Sequence, residues 1–232
     1  NGMKSVVLSI STGFQSILGR KLAQQNTVKI KEFMKKYFYF ILIVSLIGFG
    51  TIILLIRQFV CIYIGNNSDY SYDRVIFPFI IAISQMIICI REPFNLLIIS
   101  ANKFKETNKG AAIEAILNIV ISLFFIKKCG LVGVAVGTLI ASLYRLCYFY
   151  MYLCKNIIML NYKIIFKPLF LLVSYISIIA LYYFKIDNYN VENWMYFFKN
   201  AIFIIAINVV VLFILIIIIF GADIIKLWKK RQ

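Results

Sequence analysis

The sequence predicts an all-α fold, a polytopic membrane helix bundle of about seven transmembrane helices. Three observations carry that expectation. Of 232 residues, 62% are hydrophobic and only 15% charged, whereas a soluble domain is roughly half apolar and a quarter charged. The mean hydropathy is +0.91, so there is too little polar surface to cover a water-soluble globule. The apolar residues fall in runs long enough for a hydrocarbon core about 30 Å thick, which takes about 20 residues of helix. The basic residues come in short clusters between those runs.

The runs can be taken in order. The first, 3–19, is the weakest, because Ser5, Ser9, Thr12 and Ser16 form a hydroxyl stripe with Gly13 and Gln15 beside it. Such a stripe suits a helix that lines a cavity, although hydroxyls also bond to their own backbone carbonyls. The segment 20–36 is basic, and its Lys29, Lys31, Phe33, Lys35 and Tyr37 fit either a short amphipathic helix on a membrane surface or a solvated loop. The second run is 37–56. The third, 75–100, contains Pro93, which removes a backbone donor and predicts a kink or break. The fourth, 110–126, is followed by a Cys129–Gly130 turn. In the fifth, 130–154, Gly133, Gly137 and Ala141 recur at steps of four, a small-residue face that lets two helix backbones approach. The sixth and seventh, 164–184 and 200–220, offer only Ser174, Ser177 and Asn208 and are predicted to face lipid. The chain therefore divides into 1–154, five helices of which the first, third, fourth and fifth form a polar-lined core, and 155–232, two additional lipid-facing helices with a basic tail. Asn1 is not an initiator and the first run begins almost at once, so the sequence reads as a piece of a longer chain.

A net charge of +16 and a pI of 9.7 resemble the footprint of a nucleic-acid binder, but clusters between apolar runs do not form one basic face. They report orientation instead, because Lys and Arg are enriched in short cytoplasmic loops. Arg20, Lys21, Lys29, Lys31, Lys35, Lys36, Lys103, Lys105, Lys109, Lys155, Lys163, Lys167, Lys226, Lys229, Lys230 and Arg231 fall on one set of alternate loops. The other set holds fewer: Lys4, Arg57, Arg74, Lys127, Lys128, Lys185 and Lys199. All seven runs then agree on a cytoplasmic-membrane protein with a cytoplasmic C-terminus. There is no histidine, and the five cysteines form no CxxC pair, so no metal, cofactor or disulfide framework is expected.

Charged residues inside apolar runs are costly and normally face a bundle interior or a water-filled cavity. Here these are Arg91 and Glu92 in the third run, Glu114 in the fourth and Arg145 in the fifth. Ser84, Arg91 and Asn95 lie at helical steps on one face, with Gln85 and Glu92 beside them. Glu114, Asn118 and Ser122 repeat the pattern at steps of four. Arg91 is open to a ligand role or to a packing pair with Glu92 or Glu114. Glu114, about 6 Å into its helix, is open to a cavity or a headgroup role, and Arg145 to a substrate contact or to snorkelling toward the interface.

The run Arg91-Glu92-Pro93-Phe94-Asn95, then Ile99 to Thr107, Gly110 to Asn118 and Gly130 to Thr138, resembles the C-terminal half of polysaccharide flippases. These belong to the multidrug/oligosaccharidyl-lipid/polysaccharide exporter superfamily. The resemblance is strongest over 84–145 and implies two six-helix lobes that open a central cavity alternately to each side. Runs one to five would be the second to sixth helices of the C-terminal lobe, runs six and seven two additions, and the N-terminal lobe a partner outside this sequence. The cargo implied is a polyprenyl-diphosphate-linked glycan, moved rather than chemically changed, so no enzyme activity is expected. On that template Arg91 is the leading phosphate contact and Arg145 the second. Asn95, Asn118 and Ser9 would line the cavity, and Glu114 would be an arginine partner or an ion-coupling carboxylate.

Two other readings compete. A drug/cation antiporter of the same superfamily would rely on intramembrane acids, which two arginines beside two glutamates do not favour. A glycan-assembly membrane enzyme would carry a larger outside loop or an acidic cluster, whereas the outside loops here hold only Asp69, Asp73, Asp187 and Glu192.

Overall fold

The computed structural model describes residues 2–24, 27–64, 73–103, 105–156, 166–185 and 193–229. Among the earlier assignments, Asp69, Phe104, Lys163, Asp187, Glu192, Lys230 and Arg231 lie outside the described residues. The described residues are helical, with no strand: α1 (Gly2–Ala23), α2 (Thr27–Ile64), α3 (Asp73–Ile90), α4 (Glu92–Ser100), α5 (Asn108–Asn156), α6 (Phe166–Lys185) and α7 (Trp194–Lys229), plus a 3₁₀ turn at Lys105–Thr107. Among these residues five stretches are long and apolar enough to cross a membrane: Val28–Val60, Ile76–Ser100, Lys105–Asn156, Phe166–Lys185 and Trp194–Gly221. That number is consistent with a multi-pass membrane protein. The hydroxyl-rich α1 is not among the five, and residues 27–36, open between loop and surface helix in the sequence, are the first turns of α2.

Large apolar side chains stand exposed on much of this surface, among them Ile202, Phe203, Val210, Phe213 and Ile218 of α7 and Ile116, Ile119, Leu123 and Phe124 of α5. A water-soluble monomer rarely exposes contiguous apolar patches of this extent. In hydrocarbon they are solvated.

The helices cluster into two compact units, Asn1–Ser45 with Tyr70–Asn161, and Leu46–Asp69 with Tyr162–Gln232. In the first unit α3 packs on α5, and α1 packs on α3 and α4. Buried Val7, Ser11 and Leu18 make one face of α1, whereas Ser9, Thr12 and Ser16 are exposed. The α3–α4 break falls at Arg91, two residues before Pro93. Proline has no N–H for the carbonyl four residues back, and the amides of Phe94 and Asn95 both turn to the Arg91 carbonyl at 3.0 and 3.1 Å. The end of α4 is a Schellman cap. Asn102, with φ 55°, takes the left-handed position that asparagine tolerates, while its amide reaches Ile99 O at 2.9 Å and that of Lys103 reaches Ile98 O at 3.0 Å.

The helix α5 is folded back on itself at Gly130, whose φ of 55° and ψ of −133° a side chain would strain. Its two arms, 108–129 and 131–156, meet along the small-residue face. A Cβ on Gly133 would lie 2.5 Å from the carbonyl carbon of Phe125, and one on Gly137 would meet Ser122 and sit 3.1 Å from the Asn118 carbonyl oxygen.

In the second unit, the stretch of α2 beyond Ser45 associates with α6 and α7. One stripe of α6 is buried, Leu171, Tyr175, Ile179 and Tyr183, as is one of α7, Ile204, Asn208 and Leu212. Each recurs every four residues, so these helices give one face to protein and the rest to lipid, a narrower exposure than their composition implied. Buried polar groups tie the three helices together. The Tyr175 hydroxyl donates to Asn208 Oδ1 and lies 2.7 Å from Leu46 O. The Asn208 amide donates to Ile47 O at 3.2 Å and Thr51 Oγ1 at 3.1 Å. Gly50 makes the room, since a Cβ there would collide with the Tyr175 hydroxyl.

Three substitutions test this packing. Gly133→Ala forces a methyl into the Phe125 backbone and is expected to cost about 1–3 kcal/mol of unfolding free energy. Gly19→Ala, where nothing lies within 4 Å, should be neutral or mildly stabilising. Both are read by titrating the micelle-solubilised protein with SDS and following helicity. In the same titration Tyr175→Phe should cost about 0.6 kcal/mol and at most roughly 1.7, the range for side-chain hydrogen bonds between membrane helices. An unchanged midpoint would mean that the three-helix network adds no stability.

Candidate functional site

Three of the four charged side chains within the apolar runs of the first unit, Arg91, Glu114 and Arg145, come together at one carboxylate. Arg91 stands at the α3–α4 break, Glu114 one turn past Gly110 in the first arm of α5, and Arg145 in the second arm. Arg91 Nη1 donates to Glu114 Oε1 at 2.5 Å, and Arg145 Nε lies 3.5 Å from Glu114 Oε2. Each oxygen of the carboxylate thus faces a different arginine. A lone charged residue costs about 2.5–3.5 kcal/mol at the centre of a membrane helix, and pairing offsets part of that. Arg91, Glu114 and Arg145 by themselves sum to one positive charge, and Glu92, next to Arg91, adds a carboxylate nearby.

The two arginines are held differently. Arg145 is 8% exposed. Its Nη1 donates to Thr107 O at 3.0 Å, and its guanidinium lies 4.2 Å from the Phe149 ring centroid and 5.7 Å from that of Tyr148. It is turned inward, which replaces the snorkelling alternative left open by its position near the end of the run. Gly110 makes this possible, because a Cβ there would lie 2.6 Å from Arg145 Nη1 and 2.5 Å from the Tyr148 ring. Arg91, with 18% of its side chain exposed against 9% for Arg145, sits where the helix ladder is interrupted.

Beside the cluster lies an open pocket of about 290 Å³, lined by Ile88 of α3, by Ala111, Glu114, Ala115 and Asn118 of the first arm, and by Thr138, Ala141 and Ser142 of the second. The alanines withdraw volume, and the polar groups supply its chemistry. The Thr138 and Ser122 hydroxyls lie 3.4 and 3.3 Å from Asn118 Oδ1, so this side chain links the two arms. A carboxylate, an amide and two hydroxyls around an open trough can exchange hydrogen bonds with a polyhydroxylated ligand, and the arginines behind it attract an anion.

Of the sequence candidates, the fold brings Arg91, Glu114 and Arg145 into contact and sets Asn118 in the adjoining pocket. The Asn95 amide lies 3.4 Å from both Glu92 carboxylate oxygens, and Ser9 lies on the exposed face of α1; neither lines this pocket. Thr138 and Ser142 were not singled out, although with Arg145 they recur at steps of four and three and were readable as a stripe. The Thr107 carbonyl and the vacancy at Gly110 have no sequence signal of that kind. Among the described residues no group of three or more His, Cys, Asp or Glu could hold a metal ion, and Cys89, Cys129, Cys147 and Cys154 are free thiols. No family model, no curated protein and no solved structure matches the chain.

If Glu114 offsets the repulsion between the two arginines, Glu114→Ala should destabilise the protein by about 2 kcal/mol, a partly exposed version of an uncompensated buried charge. Adding Arg91→Ala should recover part of the loss, with a coupling of at least about 0.5 kcal/mol in the SDS titration. Strict additivity would show that the pair is only a proximity.

Proposed function

We propose that the chain is the C-terminal part of a flippase that moves a polyprenyl-diphosphate-linked oligosaccharide across the cytoplasmic membrane. The observation that carries this reading is a pair of arginines bridged by a carboxylate, set within apolar helices and bordered through Glu114 by a trough of amide, hydroxyl and carboxylate groups. A diphosphate demands positive charge and a glycan demands hydrogen-bond partners, and neither tolerates hydrocarbon. The resemblance of residues 84–145 to the C-terminal half of polysaccharide flippases supports the same reading, with a complementary lobe as partner and membrane lipids around both.

In this reading the chain crosses the membrane seven times with its C-terminus in the cytoplasm, the α5 arms counting as two crossings and α1 as the first. Arg91 meets the diphosphate and Arg145 supports it. Asn118, Thr138 and Ser142 meet sugar hydroxyls. No covalent bond changes; closure of one lobe against the other moves the site from one side to the other.

The test replaces Arg91 by Ala and by Lys in the chromosomal gene and measures surface glycan against protein level. Loss of one charge-assisted contact is worth about 1.5–3 kcal/mol, so Arg91→Ala should lower export about tenfold or more, with Arg91→Lys retaining part of it. Normal export and normal abundance in both would remove Arg91 from the mechanism and the flippase reading with it.

A further inference from the structure

The cluster is electrically occupied by the protein's own anion. One carboxylate, on the first arm of α5, takes a nitrogen from Arg91 at the α3–α4 break and faces a nitrogen of Arg145 on the second arm. A phosphate would approach the same two guanidinium groups from the same trough, because Glu114 itself lines it. We propose that Glu114 is a built-in surrogate for the diphosphate: it holds Arg91 and Arg145 in place while the site is empty, and an entering diphosphate must displace it. This regulation of the site rests on the flippase reading.

Three features of the geometry support it. First, Glu114 is an ion-pair link between the α3–α4 break and both arms of α5, so its release removes that link. Second, the arginines differ in freedom. Arg145 is fixed by the Thr107 carbonyl and by the Phe149 ring, whereas Arg91 stands at an interrupted ladder beside Pro93, so Arg91 is the member that changes partners. Third, a guanidinium has five donors in a planar fork and matches phosphate as well as carboxylate. A dianionic group therefore competes favourably with a single carboxylate for two arginines. The consequence is selectivity: ligands of low charge do not open the cluster, and diphosphates do.

The experiment uses the full-length protein in nanodiscs of zwitterionic lipid, with farnesyl diphosphate as probe and farnesol as the uncharged control. Glu114→Gln keeps the shape and removes the competing charge, and should bind farnesyl diphosphate about tenfold more tightly than wild type, with farnesol unchanged. Glu92→Gln removes a carboxylate that is hydrogen-bonded to Asn95 and feels Arg91 only through space, and should raise affinity clearly less than Glu114→Gln does. Arg91→Gln added to Glu114→Gln should abolish the gain. Equal binding by wild type and Glu114→Gln would overturn the surrogate role and leave the transport reading standing, and so would a gain at Glu92→Gln as large as at Glu114→Gln. Absence of diphosphate binding in wild type and every variant would overturn both. Should Glu114→Gln fail to fold, Glu114→Asp serves instead, because a side chain one methylene shorter cannot reach both arginines. It should bind about threefold more tightly, and unchanged affinity would overturn the proposal.

Discussion

The carboxylate of Glu114 between two guanidinium groups is the interaction on which the first unit depends. Two arginines within apolar helices repel each other and lose hydration, and only an anion placed between them makes their approach tolerable. Several features of the unit are arranged around that need. Gly110 lacks the Cβ that would occupy the space of Arg145 Nη1. The 3₁₀ turn before α5 offers its last carbonyl, that of Thr107, to the same guanidinium. The Phe149 ring supplies a face on which the remaining charge is attracted. On the other side Pro93 interrupts the helix, and Arg91 stands at the interruption.

The second unit is held mainly by neutral groups, with Arg57 of α2 donating to the Tyr183 carbonyl of α6 as its charged link. Tyr175, Asn208 and Thr51 join α6, α7 and the adjacent part of α2 through neutral hydrogen bonds, two of which end on backbone carbonyls of α2. Lipid tails provide no hydrophobic drive for helices to associate, so packing and a few satisfied polar groups have to hold them. A neutral network with every partner in reach costs little to desolvate and has no reason to open. The pocket beside Asn208 is small and apolar, whereas the one beside the ion cluster is larger and lined by Glu114, Asn118, Thr138 and Ser142, and the proposed transport site is placed there for that reason.

Legibility in the sequence followed physical range. The apolar runs, the turn at Gly130 and the small-residue face of Gly133 and Gly137 are properties of neighbouring residues, and the helices and the folded-back α5 carry them. Pro93 marked the α3–α4 break within two residues, because the missing donor acts locally. Membrane-like composition in α6 and α7 hid their buried stripes: Leu, Ile and Tyr look alike whether they face lipid or protein, so hydropathy does not separate the two. For Arg145 the position near the end of its run pointed toward the interface. The inward turn required a vacancy at Gly110, 35 positions earlier in the chain.

By itself, then, the sequence determined a chain of long apolar helices, the sites where they bend, and the few ionisable groups among them, since each follows from composition and spacing along one helix. Only the tertiary structure decided the partnerships: that Arg91 meets Glu114 and not its neighbour Glu92, that Arg145 reaches the same carboxylate from the other arm, and that Asn95 and Ser9 stand apart. Within a single helix the direction of a side chain is set by its register, but which opposite charge it finds depends on how two arms and a broken helix are brought together. Electrostatic attraction in a low dielectric then selects the pair at 2.5 Å over any that is nearer only in sequence.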